Sequence, residues 1–258
     1  MKLHFVEYGK GHRKTVIILH GLLGSERNWH TVARRLSEHF HLLIPDQRNH
    51  GVSPHDTVHS IAAMREDLEE FIDEHVHKHF YLIGHSMGGH VAMNYAFYHA
   101  ETLHALIVED IAPRSYGTGL VHIVQAMEDV NLAQFTEKKQ VEHALESKIK
   151  DKSVRQFVMT NLVRHHDRLS WRVHLPALKH FAENEIVRFK AHDYHAYNGP
   201  TLFIGGELSQ YDLRKDRVLI KKHFPEAHIE MVPNAGHWIH HENPDRFYDL
   251  VTHFIKTH

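Results

Sequence analysis

The apolar run Phe80-Tyr81-Leu82-Ile83 leads directly into Gly84-His85-Ser86-Met87-Gly88, and a helix-forming stretch follows. A strand, a five-residue turn and a helix in that order hold a serine on a sharp bend with its hydroxyl clear of the backbone. The bend is too tight for side chains two residues either side of the serine, and Gly84 and Gly88 leave those positions empty. A serine hydroxyl is a weak nucleophile that works only with a base and an electrophilic carbonyl in reach. Gly and Ser are common, so the pentapeptide alone says little. Its flanks and two distant segments make it specific.

Upstream, Val16-Ile17-Ile18-Leu19 reads as a buried strand and is followed by His20-Gly21-Leu22-Leu23-Gly24-Ser25. A glycine-bearing loop in that place supplies one backbone N–H of an oxyanion hole, and the residue after the nucleophile supplies the other. The two donors are assigned to Leu22 and Met87. Downstream, Asn234-Ala235-Gly236-His237-Trp238 follows the short strand His228 to Val232. His237 is the candidate general base, taking the Ser86 proton and returning it to the leaving group.

The acid that orients His237 has more than one candidate. With this elbow the chain resembles the α/β-hydrolases, which implies an aspartate after the strand read here as Thr201-Leu202-Phe203-Ile204; Ser209 stands in that place, and a serine cannot supply the charge. Glu207 and Asp212 lie close by. The strand Leu103 to Val108 ends instead in Glu109-Asp110-Ile111-Ala112-Pro113. Asp110 is preferred, with Asp212 and Glu207 as alternatives. The order Ser86, Asp110, His237 is then nucleophile, acid, base, the chain order that accompanies this elbow.

Together with Asp46-Gln47-Arg48-Asn49-His50-Gly51-Val52-Ser53-Pro54, these segments resemble the YbfF-type bacterial esterases and their mitochondrial abhydrolase relatives, within the α/β-hydrolase superfamily. The resemblance covers nearly the whole chain and is weakest between Arg114 and Asn198. It implies an esterase or thioesterase acting on acyl esters, acyl-CoA included, with the acid in the Asp-Ile-Ala-Pro turn. Gln47 departs from the pattern, which more often has a small or branched residue there.

Alternating β and α signals argue for an α/β fold, a mostly parallel sheet with helices on both faces. Lys2 to Tyr8 alternates like an edge strand. Ile61, Met64, Leu68, Phe71 and Ile72 recur at helical spacing, and Asn243 and Pro244 open a last helix as N-cap and first residue. The expectation is one α/β-hydrolase domain over 1–258, with the core in 1–113 and 199–258. A helical lid is expected at about 114–198, inserted after the sixth strand of the fold and shaping the acyl pocket. Ser25 is expected to cap a helix starting near Asn28.

With 258 residues, 42% hydrophobic and 24% charged, the chain has the composition of a globular domain. A net charge of −2 offers no basic field for nucleic acid. The absence of cysteine excludes disulfides, thiolate metal sites and a cysteine nucleophile. No apolar run approaches a membrane span and no leader pattern opens the chain, so a cytoplasmic protein without membrane insertion is expected. The expected partner is a small-molecule acyl ester or thioester, the chain acting as monomer or homodimer, with no cofactor and no metal.

The 31 histidines raise a metal site at His237, His240 and His241, but no zinc pattern supports it. They also imply a strongly positive swing in net charge between pH 7 and 5. His20, Gly21, Arg48, Asn49, His85 and Trp238 are candidate substrate contacts, with turn stabilisation the alternative for Arg48, Asn49 and His50. Two other functions stay open: a lyase like that of menaquinone biosynthesis, with its acid after the later strand, and a non-catalytic ligand-binding homologue. An aspartate-dependent dehalogenase is excluded by Ser86.

Overall fold

The computed structural model describes residues 1–117, 119–184 and 191–258. The parts of the expected lid at 118 and 185–190 therefore lie outside the described residues. Seven strands form the main sheet: β1 (Phe5–Tyr8), β2 (Thr15–Leu19), β3 (His41–Pro45), β4 (Phe80–His85), β5 (Leu103–Glu109), β8 (Thr201–Gly206) and β9 (Ala227–Val232). Their order across the sheet is β1-β3-β2-β4-β5-β8-β9. Among the described residues of this sheet, β1 pairs antiparallel with β3 and the other pairs are parallel. The fold is an α/β-hydrolase fold.

The central strands read as unbroken apolar runs because both sheet faces are covered. On β2, Ile17 and Leu19 enter one core while Val16 and Ile18 enter the other. The first core takes α2 (Ile61–His75), α3 (Met87–Tyr98) and α8 (Arg217–His223); the second takes α1 (His30–Leu36), α9 (Ile239–Glu242) and α10 (Pro244–Thr257). Asn243 caps α10 as expected, its Oδ1 accepting from the Arg246 N–H at 3.3 Å. Ser25 precedes a short 3-10 turn, Glu26–Trp29, and its own N–H donates to Asn28 Oδ1 at 2.7 Å; α1 itself starts at His30. Among the described residues no helix is long and apolar enough to cross a membrane.

Between β5 and β8 lie α4 (Gly119–Glu128), α5 (Lys138–Leu145), α6 (Lys152–Met159) and α7 (Leu175–Asn184). Counted along this chain, the strand before them is the fifth. The segment is not wholly helical. β6 (Leu162–His165) and β7 (Arg168–Trp171) form an antiparallel hairpin that follows α6.

The elbow is sterically closed. A Cβ on Gly84 would sit 2.3 Å from the Gly88 carbonyl oxygen, and one on Gly88 would sit 2.6 Å from the carbonyl oxygens of Leu19 and His20. These are backbone atoms without room to yield. Gly84→Ala should therefore destabilise the chain by about 2 kcal/mol or more. Urea denaturation checks this, and an unchanged midpoint would contradict it.

Several histidines are core residues. Burial pushes His59, His85 and His240 down to about 3 and His90 to about 4, so they stay neutral and take no part in the charge swing above pH 5. Glu109, buried at the end of β5, is pushed up to about 7. The depressed histidines stabilise the fold fully above about pH 6.5, the ordinary histidine value, and this stability is lost as pH falls toward their folded values. Glu109 acts oppositely: its contribution is complete below the ordinary glutamate range and is lost as pH rises through about 7. Near pH 5 the four histidines outweigh the one glutamate, and unfolding should take up about three protons from these five groups. Urea midpoints measured from pH 7 to pH 5 should fall steadily. A flat or rising series would contradict the assignment.

Candidate active site

The site is assembled at the carboxyl ends of the parallel strands, where open α/β sheets place their ligands. Register does the positioning: His85 pairs with Glu109, and Glu109 with Ile204. One residue further on, the Ser86 N–H donates to the Glu109 carbonyl at 3.0 Å and the Asp110 N–H to the Ile204 carbonyl at 2.8 Å. Both residues leave the sheet in the left-handed region, each at φ 52°. For a non-glycine residue that conformation is unfavourable and clusters at functional sites.

Asp110 is completely buried, and its carboxylate is enclosed by donors. Oδ2 accepts from His237 Nδ1 at 2.7 Å and from the Ser209 hydroxyl; Oδ1 accepts from the Gly206 N–H at 3.0 Å. Ser209, which in the sequence only marked a missing acid, therefore serves the acid held one strand away. The two alternatives are engaged elsewhere. Asp212 pairs with Arg214 at 2.6 Å and Lys215 at 3.4 Å, and Glu207 is exposed.

The loop carrying His237 is latched from below. His85 Nε2 donates to the His237 carbonyl at 2.9 Å, and the two rings lie 4.6 Å apart. Glu109 accepts both the backbone N–H and the Nδ1–H of His240 at 2.9 Å. His240 in turn stacks on the buried Trp29 at 4.2 Å. Consecutive acids at the end of β5 thus hold two histidines three residues apart. That separates His237 from His240, and among the described residues His237, His240 and His241 do not form a group placed to share a metal ion. Among the described residues Ser86 Oγ makes no hydrogen bond to His237; such bonds are often long in unliganded sites and tighten with substrate.

On the opposite side, the Gly21 backbone packs on the elbow: a Cβ there would lie 2.8 Å from His85 Nδ1 and 3.2 Å from Ser86 Cβ. Leu22 follows it, and Met87 opens α3, so the Met87 N–H is one of the helix's first, unshared donors. His20 does not reach outward. Its Nδ1–H donates to the Gly21 carbonyl at 2.8 Å and its Nε2 accepts from the Gln47 N–H at 2.9 Å. Gln47 also donates from Nε2 to the His20 carbonyl at 2.6 Å, which gives the departure at this position a structural task.

Arg48 and Asn49 act as turn supports. The Arg48 guanidinium forms a fork with Asp67, Nη2 to Oδ1 at 2.8 Å, and Asn49 Oδ1 accepts from the Asp56 N–H at 2.7 Å. Trp238 faces the insertion, its ring 5.1 Å from Phe157 and 5.7 Å from His237. A small cavity lies beside the elbow, lined by Gly21, Trp29, His85, Phe157, Trp238 and His240 among others. Glu109, Gln47 and the supporting role of Ser209 were not read as site features from the sequence; only the acidic pair Glu109-Asp110 after a strand pointed toward them.

Comparison with known proteins agrees with this architecture. The alpha/beta hydrolase fold family matches residues 14–244. The chain is 37% identical to the sn-1-specific diacylglycerol lipase ABHD11 of Danio rerio, over 96% of this chain and 80% of that one. It is 29% identical to esterase YbfF of Escherichia coli, over 93% of this chain and 92% of that one. Among solved structures, a marine microorganism esterase superposes with a TM-score of 0.93 at 34% identity, covering 98% of this chain and 99% of that one. The chain belongs to the alpha/beta hydrolase fold family.

Proposed function

We propose that this member of the alpha/beta hydrolase fold family is a serine carboxylester hydrolase acting on small-molecule acyl esters, acyl thioesters included. The observation that carries the reading is the buried Asp110 carboxylate on His237 Nδ1 at 2.7 Å, beside a serine held on a strained elbow. The names of the relatives, esterases and lipases, support the reaction class.

In this reading Ser86 Oγ attacks the ester carbonyl while His237 Nε2 takes its proton. Asp110 fixes the tautomer that leaves Nε2 free and stabilises the imidazolium that forms. The negative charge that develops on the carbonyl oxygen is met by the Leu22 and Met87 N–H groups. His237 then protonates the departing alcohol or thiol, leaving an acyl group on Ser86. Water, deprotonated by His237, adds to the acyl carbon and releases the acid. No metal or organic cofactor is called on. The insertion between β5 and β8, facing the site through Phe157, is proposed as the lid that shapes the acyl pocket, and the chain as one domain.

Hydrolysis of p-nitrophenyl esters of graded acyl length tests this. Wild type should turn over, Ser86→Ala should lose about a thousandfold or more in kcat, and Asp110→Asn about a hundredfold or more. Asp212→Asn should stay within about twofold, since that side chain is paired at the surface. Activity lost in Asp212→Asn but retained in Asp110→Asn would contradict the proposed acid and favour the lyase-like arrangement.

A further inference from the structure

The turn that presents Leu22 is held by two side chains from outside it. The Gly24 N–H donates to the Gly21 carbonyl at 3.0 Å, which places Leu22 and Leu23 at the centre of the turn. Leu23 sits at φ 62°, a conformation that suits glycine and is strained for leucine. A turn of this kind with no glycine at that position keeps its shape only if its surroundings enforce it.

The enforcement comes from both ends of Leu23. Its N–H donates to His50 Nε2 at 3.1 Å, and its carbonyl accepts from Asn161 Nδ2 at 2.8 Å. Leu23, His50 and Asn161 are all buried. His50 is fixed as an acceptor at Nε2 because its Nδ1–H donates to the Arg48 carbonyl at 2.9 Å. Burial among His20 and His59 holds its pKa well below the ordinary histidine value, so the ring stays neutral. Asn161 belongs to the insertion, one residue before β6, and the Arg172 N–H ties its carbonyl to the other side of the hairpin at 2.8 Å.

We infer that His50 and Asn161 are positioning residues that pin the two peptides flanking Leu23, His50 the Leu22–Leu23 peptide and Asn161 the Leu23–Gly24 peptide, so that the insertion helps to aim the Leu22 N–H at the developing oxyanion. The inference rests on the proposed hydrolase reading and adds to it a working role for the insertion. The segment that leaves β7 is tied to the core as well: the His174 N–H donates to the Asn49 carbonyl at 3.1 Å, and His55 Nε2 to the Arg172 carbonyl at 2.9 Å.

The test uses the full chain with His50→Leu, which removes the acceptor, His50→Gln, which restores one, and Asn161→Asp, which removes the donor at constant shape. Each is assayed on a p-nitrophenyl ester and with a trifluoromethyl ketone. Ser86 Oγ adds to the ketone carbon, its proton passes to His237, and the resulting oxyanion occupies the proposed hole. His50→Leu and Asn161→Asp should each lose about tenfold to a hundredfold in kcat with KM within about twofold, since a displaced donor acts on the transition state. Inhibitor affinity should fall in proportion to kcat/KM, and His50→Gln should recover most of both. A purely structural role would leave ketone affinity per active molecule unchanged. The inference is overturned if folded Asn161→Asp keeps wild-type kcat, or if kcat falls with no loss of ketone affinity. Should His50→Leu fail to fold, Asn161→Asp and His50→Gln still decide the matter. A wild type that hydrolyses no ester would sink the hydrolase reading itself, a result distinct from either.

Discussion

The contact between the Asp110 carboxylate and the His237 imidazole is the constraint around which the rest of the site is arranged. A buried carboxylate is tolerated only when charge or hydrogen bonds replace the water it has lost. Asp110 has three such replacements: the His237 Nδ1–H, the Ser209 hydroxyl and the Gly206 N–H. They come from two steps of the fold. The parallel register of β5 and β8 brings Gly206 and Ser209 to it, and the loop after β9 brings His237. An acid after β8 would meet the same histidine from its other side. Here that place is taken by a hydroxyl that donates to the acid instead of replacing it.

Around this pair, support is layered. Glu109 and His85 hold the loop of His237, and Gln47 and His20 hold the start of the oxyanion turn. Buried histidines do much of this work because a neutral imidazole offers one donor and one acceptor on a rigid ring. His20 and His50 use both nitrogens in that way. Their neutrality is enforced by burial, which ties the geometry of the loops to pH.

Much of this is legible in the sequence. The elbow and its glycines, the apolar central strands, the Asn243 cap and the bracketing Gly21 and His237 loops have local signatures that tertiary contacts reinforce. Asp110 was legible only as a preference, because its claim depends on which strand lies beside which. Ser209 was read as an absence, since a hydroxyl carries no sign of what it will donate to. The β6–β7 hairpin was missed for a different reason. Its strands are four residues each, and its turn runs through His166 at φ 51° without the Asn-Gly or Asp-Gly pair that announces such turns. Asn161 was invisible because its partner, Leu23, lies 138 residues away.

The most direct test of the central contact is proton NMR of the far-downfield region, where an imidazole Nδ1–H bonded to a carboxylate resonates apart from the amides. Wild type should show a resonance that is lost in His237→Gln, which assigns it to this ring and not to His240 on Glu109. The same resonance should vanish or move strongly upfield in Asp110→Asn and persist unchanged in Asp212→Asn. Its survival in Asp110→Asn, or its loss in Asp212→Asn, would show that another acid holds His237 and would contradict the account.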